Sequence, residues 1–273
     1  MPIIQEEPDD AQPTDPTQST QSNTENAATG GGLPRMIEHL KGRKIDSVLW
    51  VLRAATVMFG IFYVFPINVN QFSCYQKALM AGAATNALRL HQRLGGTFQL
   101  NMAFFQQLFV EDACHYLFYC IIFIGVYPVT MALMPVFFFA LLHWTSFTIQ
   151  LLNVGGYSNG LLWRLLTKFV DQYSQTLLQV IACCEIFLMP MIIFMIFSGR
   201  SNLLIPFVYY RFLTLRYLSR RNPSTRMAFQ HMRYALEQSV NRPNCPAVFR
   251  NLAYKLIAIV CRLGPQQAQA PSQ

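Results

Sequence analysis

The chain has 273 residues, of which 53% are hydrophobic and only 12% are charged. Soluble domains carry about 25% charged residues, so this composition excludes an ordinary water-soluble enzyme. The formal net charge is +8, from 21 Lys and Arg against 13 Asp and Glu.

The first 32 residues are predicted to form a disordered acidic tail. They contain six acidic residues, no Lys or Arg, four prolines and a closing run of three glycines. Such a segment has too few apolar side chains to build a core. Its acidic start does not fit a secretory signal, so we expect a later segment to act as an uncleaved membrane anchor. Subtracting −6 from the total of +8 leaves +14 for residues 33–273.

The first membrane helix is predicted over residues 48–67. This stretch is apolar except for Arg53, and twenty helical residues match the roughly 30 Å thickness of the hydrocarbon core. The following segment, residues 68–102, is interpreted as a loop.

A second apolar region has no Asp, Glu, Lys or Arg at any of the 51 positions from 113 to 163. Because Pro128 interrupts it, we predict two helices, over 103–126 and 129–151. Glycine and asparagine indicate a turn over 153–160, and a further apolar helix is predicted over 174–198. The fold class is therefore an all-α polytopic membrane helix bundle over about 45–200.

The number of spans is predicted from the distribution of basic residues, which favour the cytoplasmic side. Basic residues precede the first helix and dominate the C-terminal third, which favours four spans with both ends in the cytoplasm. That arrangement places the basic residues of the 68–102 segment in the lumen. A three-span alternative places this segment in the cytoplasm and the N-terminus in the lumen.

Four charged residues are predicted inside or near the membrane helices: Arg53, Glu111, Asp112 and Glu185. Buried charges are costly and tend to be paired or functional. One hypothesis is that Arg53 pairs with Glu185. The alternative is that Arg53 extends to the headgroups and Glu185 is protonated. A transporter or channel subunit is the alternative function, although such a site needs several polar groups converging at mid-membrane.

No catalytic, cofactor or metal site is predicted. Residues 156–160 match the G-x-S-x-G pattern, but a hydrolase needs a strand before it and a helix after it, and here membrane segments flank it. The seven cysteines lack the spacing of a zinc site or a disulfide framework.

The C-terminal region, residues 203–263, is predicted to be basic and interfacial. Eleven Lys or Arg and one acidic residue lie between 200 and 262. Residues 203–221 mix aromatic side chains with arginines, as is typical of a membrane–water boundary. The arginines assigned to the membrane surface are Arg211, Arg216, Arg220 and Arg221.

Two amphipathic helices are predicted in this region, a weaker one over 224–240 and a stronger one over 246–263. Lipid contact is the favoured interpretation, with packing on the bundle as the alternative and nucleic-acid binding disfavoured because no binding motif is present. Residues 264–273 are predicted to be a disordered tail. The membrane-surface residues of the stronger helix are Phe249, Arg250, Leu252, Lys255, Leu256, Ile259 and Arg262.

Five strings of residues, at 88–94, 111–116, 127–131, 185–190 and 209–217, resemble the transmembrane protein 33 family, and the insect member most of all. The resemblance covers about residues 45–263. It implies a multipass protein of the endoplasmic reticulum membrane and nuclear envelope that lacks catalytic residues.

The same resemblance implies a role in organising membrane shape. Its expected partners are anionic and curved membrane lipids, reticulon-type membrane-shaping proteins and nuclear pore components, with no nucleic acid and no cofactor. Fungal relatives are associated with curved membranes through C-terminal amphipathic helices, which agrees with the helix predicted over 246–263. We therefore expect a non-catalytic membrane organiser.

Overall fold

The computed structural model describes residues 32–95, 102–219, 223–243 and 245–265, and these residues form helices and turns without any strand. The predicted all-α class is confirmed. The tails predicted over 1–32 and 264–273 lie almost entirely outside the described residues. The ten helices of the described part are α1 (Gly32–Gly42), α2 (Lys44–Val64), α3 (Gln71–Arg93), α4 (Met102–Val110), α5 (Asp112–Ile124), α6 (Thr130–Val154), α7 (Leu161–Phe197), α8 (Leu204–Leu218), α9 (Ser224–Val240) and α10 (Ala247–Leu263).

Three helices of the described part, α2, α6 and α7, are long and apolar enough to cross a membrane. They correspond to the helices predicted over 48–67, 129–151 and 174–198. Helix α7 begins at Leu161, well before the predicted start at 174, and its first turns carry the charged residues Arg164, Lys168 and Asp171. Its 37 residues extend about 55 Å, well beyond the hydrocarbon core.

Two expectations differ from the structure. The segment predicted as a loop contains α3, which Asn70 caps by accepting a hydrogen bond from the Ser73 amide at 3.3 Å. The helix predicted over 103–126 is broken at Glu111 into α4 and α5. Helix α5 extends only about 20 Å, so it is too short for a full-length span. The chain still traverses the bundle an even number of times, because α3 and α5 form a hairpin between α2 and α6, and α8 and α9 lead back along α7.

The bundle has two ends that differ in charge. One end, called the basic end, is rich in Lys and Arg. At the other end, Tyr63 and Thr130 share a hydrogen bond of 3.0 Å, and the Arg200 guanidinium lies 5.1 Å from the Tyr127 ring centre. The turns that connect α2 to α3, α5 to α6 and α7 to α8 lie there. The basic end holds α1, the starts of α2 and α7, and the ends of α3 and α6. Its exposed or half-buried basic residues include Arg35, Lys41, Arg43, Lys44, Arg89, Arg93, Arg164 and Lys168.

Two glycines, one on α2 and one on α3, allow these helices to approach α6 closely. A Cβ atom at Gly82 of α3 would lie 2.6 Å from Val136 of α6, and one at Gly60 of α2 would lie 2.5 Å from Phe137. A larger side chain at either position would push the helices apart.

The core lies between α2, α3, α5, α6, α7 and α8, and it is rich in tyrosine and phenylalanine. Tyr119 and Phe123 of α5 pack against Tyr209 and Phe212 of α8, with ring centres 5.0–6.2 Å apart. Helix α8 therefore packs as part of the bundle. Tyr209 and Phe212 are buried, so this face of α8 contacts the bundle, and the position of α8 at the membrane–water boundary stays a prediction.

Candidate functional site

A cluster of polar side chains surrounds Glu185 in the middle of α7. The Glu185 carboxylate is fully buried and accepts hydrogen bonds from the Tyr116 hydroxyl of α5 and the Thr225 hydroxyl of α9 at 3.1 Å. The Tyr209 hydroxyl of α8 donates to the Glu185 backbone carbonyl at 2.7 Å. This one residue therefore joins four helices.

Arg216 of α8 is the cation of the cluster. Its Nε atom lies 3.2 and 3.3 Å from the two carboxylate oxygens of Glu185, and its Nη1 atom lies 3.5 Å from Asp112 of α5. The Ser219 hydroxyl donates to Asp112 at 3.0 Å. Arginine keeps its positive charge in proteins, and here Arg216 faces the two carboxylates of Glu185 and Asp112.

Local sequence explains how α8 and α5 present these groups. Tyr209, Phe212 and Arg216 are spaced by three and four residues, so they share one face of α8. Arg216 lies in the last turn of α8 and Asp112 in the first turn of α5. Each charge therefore has the sign that the helix dipole favours at its end.

The assignment of Arg216 to the membrane surface is wrong, because its side chain is 1% exposed and bound to Glu185. A signal was present in the sequence: the spacing of Tyr209, Phe212 and Arg216 is that of an inward-facing stripe. Composition alone did not distinguish this arginine from its neighbours. Arg211 is exposed, whereas Arg220 and Arg221 lie outside the described residues.

The hypothesis that Arg53 pairs with Glu185 is also wrong, since Arg216 takes that place. Arg53 is itself buried, so it does not extend to the headgroups either. It lies on α2 near His143 of α6, whose ring is 3.4 Å from Arg89 of α3. The structure pairs Glu111 with Arg93 at 2.6 Å.

The cluster is closed to solvent, which limits its chemistry. Glu185, Arg216 and Thr225 are each at most 1% exposed, and their charged groups bind one another. Polar groups do converge inside the bundle, as the transporter alternative requires. Two cavities of the described part, of about 310 and 120 Å³, are lined by residues of α2 and α6 and by Phe65, and they do not include the cluster. The arrangement is that of a structural clamp.

The two predicted amphipathic helices behave differently. Helix α9 packs its apolar face on the bundle, where Ala228 forms a buried hydrophobic cluster with Ala182 and Ile186 of α7. Helix α10 lies antiparallel to α9 and docks through a different side. Arg250 donates to the Val240 carbonyl at 3.3 Å, and the Tyr254 hydroxyl bonds to Asn241 at 3.0 Å.

Docking in this way leaves the apolar stripe of α10 facing outward. Ala253 is the buried residue of the helix, and it lies at the edge of the stripe on the side that contacts α9. The side chains of the stripe are 48–63% exposed: Phe249, Leu252, Leu256, Ile259, Val260 and Leu263. Lys255 and Arg262 are exposed beside them and Arg250 is half-buried. The structure thus presents an apolar strip edged by positive charge.

The G-x-S-x-G pattern lies in the turn between α6 and α7, at residues 156–160. A helix precedes it, so the strand that a nucleophile elbow requires is replaced by α6. Gly156 has a φ of +76°, which explains a glycine at that position. The pattern is accounted for by turn geometry.

Comparison with known proteins places this architecture in a family. The model of the transmembrane protein 33/nucleoporin POM33 family matches residues 29–266. Transmembrane protein 33 of Mus musculus is 46% identical over 250 residues, covering 90% of this chain and 98% of the relative. The Caenorhabditis elegans homologue is 41% identical over 84% of each chain.

Krueppel homolog 2 of Drosophila melanogaster is 37% identical, over 88% of this chain and 86% of its own. The mouse relative is therefore more similar than the fly relative, contrary to the expectation for the insect member. No solved structure matches the chain. With a family model that spans most of its length and relatives above 40% identity, this chain belongs to the transmembrane protein 33/nucleoporin POM33 family.

Proposed function

We propose that this protein is a non-catalytic organiser of the endoplasmic reticulum membrane and nuclear envelope. The bundle of α2 to α8 anchors it, and α10 contacts the membrane surface with its apolar stripe. Inserting one apolar face into a leaflet couples binding to curvature, because a curved leaflet exposes more acyl surface. Anionic lipid, especially in curved membrane, is the partner that the basic edges of α10 fit.

The observation that carries this proposal is the outward direction of the α10 stripe. If α10 docked through Phe249 and Leu256, as α9 docks through Ala228, its apolar face would be buried against the bundle. It is instead exposed over about four turns, beside Lys255 and Arg262. An exposed apolar strip of this size is typical of a membrane or protein contact.

The charge of the two bundle ends supports a cytoplasmic location for α10. Helix α8 runs from the other end of the bundle to Glu185, which Arg216 contacts from the last turn of α8. Helix α9 then continues from Glu185 toward the basic end, since Thr225 bonds to Glu185 and Ala228 packs in a cluster with Ala182. Basic residues favour the cytoplasmic side. We therefore orient the basic end, the N-terminal residues of the bundle and the hairpin of α9 and α10 toward the cytoplasm.

Reticulon-type membrane-shaping proteins and nuclear pore components are the protein partners that family membership suggests. The name of the family model includes a nucleoporin, which supports the nuclear pore component. In this proposal, partners meet the protein where the apolar stripe holds it on curved membrane.

Proximity labelling in cells tests the proposal. The variant Phe249→Glu, Leu256→Glu places two negative charges on the apolar stripe, and we expect it to lose the neighbours of tubular reticulum and nuclear pores. The matched control Asn251→Glu, Ala258→Glu adds the same charge to the exposed polar side of α10, and we expect it to keep most of these neighbours.

Both variants should remain in the membrane after alkaline carbonate extraction, because the bundle is unchanged. If the stripe variant keeps the wild-type neighbours, α10 does not direct the protein and the proposal is wrong. If both variants lose them equally, charge rather than the apolar face is responsible, which also contradicts it.

A further inference from the structure

Helix α1 is a short amphipathic helix that precedes the first span. At 100° per residue, Leu33, Ile37 and Leu40 share one face, while Arg35 and Glu38 lie on the other. The helix lies at the basic end of the bundle, on the side formed by α2 and α6. Helices α9 and α10 contact α7 and α8 instead.

Two contacts hold α1 at a defined position. The Ser47 hydroxyl of α2 donates to the Leu40 and Arg43 carbonyls, at 2.7 and 2.9 Å, and so secures the corner between the helices. Met36 packs on the end of α6, where a Cβ atom at Gly155 would lie 2.7 Å from its Sδ atom. The orientation of the outward face is therefore set by the fold.

That outward face is apolar. Leu33 is 63% exposed and Ile37 is 50% exposed, although both belong to a docked helix. In the first two turns of α2, Ile45, Val48 and Val51 are also exposed. Because α2 is a membrane-spanning candidate, these side chains face lipid, and the helix just before them lies at the level of the headgroups.

The charge of the segment fits an anionic membrane surface. Residues 33–44 contain four basic residues and one acidic residue, a net charge of +3. Arg35, Lys41, Arg43 and Lys44 are all exposed. Basic residues close to a bilayer are attracted to its anionic lipids.

We propose that α1 is a second membrane-surface helix, which inserts Leu33 and Ile37 between anionic lipid headgroups at the basic end. With α10 on another side of the bundle, the protein would then contact the same leaflet at two separated places. Insertion of α1 is independent of α10, while its contribution to membrane shape rests on the proposed function.

The test uses the full chain reconstituted in lipid nanodiscs and labelled with an environment-sensitive fluorophore. Single cysteines are introduced as Leu33→Cys or Ile37→Cys, with Glu38→Cys on the exposed polar face as the matched control. Lipids carrying a nitroxide report insertion and iodide reports contact with water. The accessible native cysteines are first replaced: Cys183, Cys184, Cys245 and Cys261.

We expect lipid quenching at positions 33 and 37 to be roughly twofold or more above that at position 38, since an inserted face lies about 5–10 Å into the headgroup and acyl boundary. Iodide should quench in the reverse order. The difference should grow when phosphatidylserine is added to phosphatidylcholine.

Equal lipid quenching at positions 33, 37 and 38 would overturn the proposal. Protection of 33 and 37 from both quenchers would also overturn it, because residues 1–31 or a second protein would then cover the face. Indifference to phosphatidylserine would overturn the preference for anionic lipid. A label introduced as Ile259→Cys reports α10 separately, so failure of α1 and failure of the proposed function are distinguishable.

Discussion

Replacing Arg216 by Met tests the clamp around Glu185. The variant keeps an apolar side chain of similar length but removes the guanidinium that contacts both carboxylate oxygens of Glu185 and lies 3.5 Å from Asp112. Glu185 would remain buried without its cation. Removing one partner of a buried ion pair costs about 3–5 kcal/mol, so we expect a loss of that size in the free energy of unfolding.

Glu185→Gln should cost less, about 1–3 kcal/mol. The amide oxygen still accepts from Tyr116 or Thr225, and Arg216 keeps its contact with Asp112. The double variant Glu185→Gln, Arg216→Met removes both charges at once. Its loss should therefore be smaller than the sum of the two single losses, by about 1–3 kcal/mol of coupling.

Thermal unfolding of the purified full chain in detergent measures these losses. For a chain of 150–250 residues, 1 kcal/mol corresponds to about 2–4 °C in Tm, so Arg216→Met should lower Tm by roughly 6–20 °C. The control is Arg53→Met, which removes another buried arginine. Combined with Glu185→Gln, it should be additive, because Arg53 lies near His143 and not in the cluster.

The reasoning fails if Arg216→Met melts within error of the wild type. It also fails if Glu185→Gln is additive with Arg216→Met but coupled to Arg53→Met. The second result would restore the ion pair between Arg53 and Glu185.

Three further predictions follow from the packing and the direction of the helices. Gly82→Leu should cost about 1–3 kcal/mol through overpacking against α6, whereas Gly42→Leu, which has open space around it, should leave Tm nearly unchanged; equal Tm values would contradict the close approach. Tyr116→Phe should lower stability by about 1–3 kcal/mol in detergent unfolding, since Glu185 loses a buried donor, and unchanged stability would show that this hydrogen bond is dispensable. A glycosylation acceptor inserted at 198–203 should be modified, while protease-sensitive tags at both chain ends stay cytoplasmic. Tags on opposite sides of the membrane would disprove that both chain ends face the cytoplasm.

Much of the architecture follows from local patterns in the sequence. Long apolar runs predict α2, α6 and the apolar part of α7, because about 20 residues are needed to cross a bilayer. The bounds predicted for α9 and α10, 224–240 and 246–263, agree with the structure to within a residue. These features depend on periodicity and on turn residues, which act over a few positions.

Helix α3 was missed because its composition is mixed. It combines small residues with Lys77, Arg89 and Arg93, so hydropathy alone indicated a loop. Its packing between α2, α5 and α6 makes it a helix of the bundle. The break at Glu111 was missed because it depends on a contact between helices. The ion-pair partner of Glu111, Arg93, lies 18 positions earlier in the chain, on α3.

Composition and periodicity by themselves determined that this chain is a helical membrane protein with an amphipathic C-terminus, because these properties depend on side chains a few positions apart. Tertiary structure alone decided that Glu185 binds Arg216 rather than Arg53, and that α10 presents its apolar stripe while α9 buries its own. A pairing between helices depends on which faces meet in space. Sequence distance carries no such information, since Glu185 and Tyr116 are 69 positions apart and yet share a hydrogen bond.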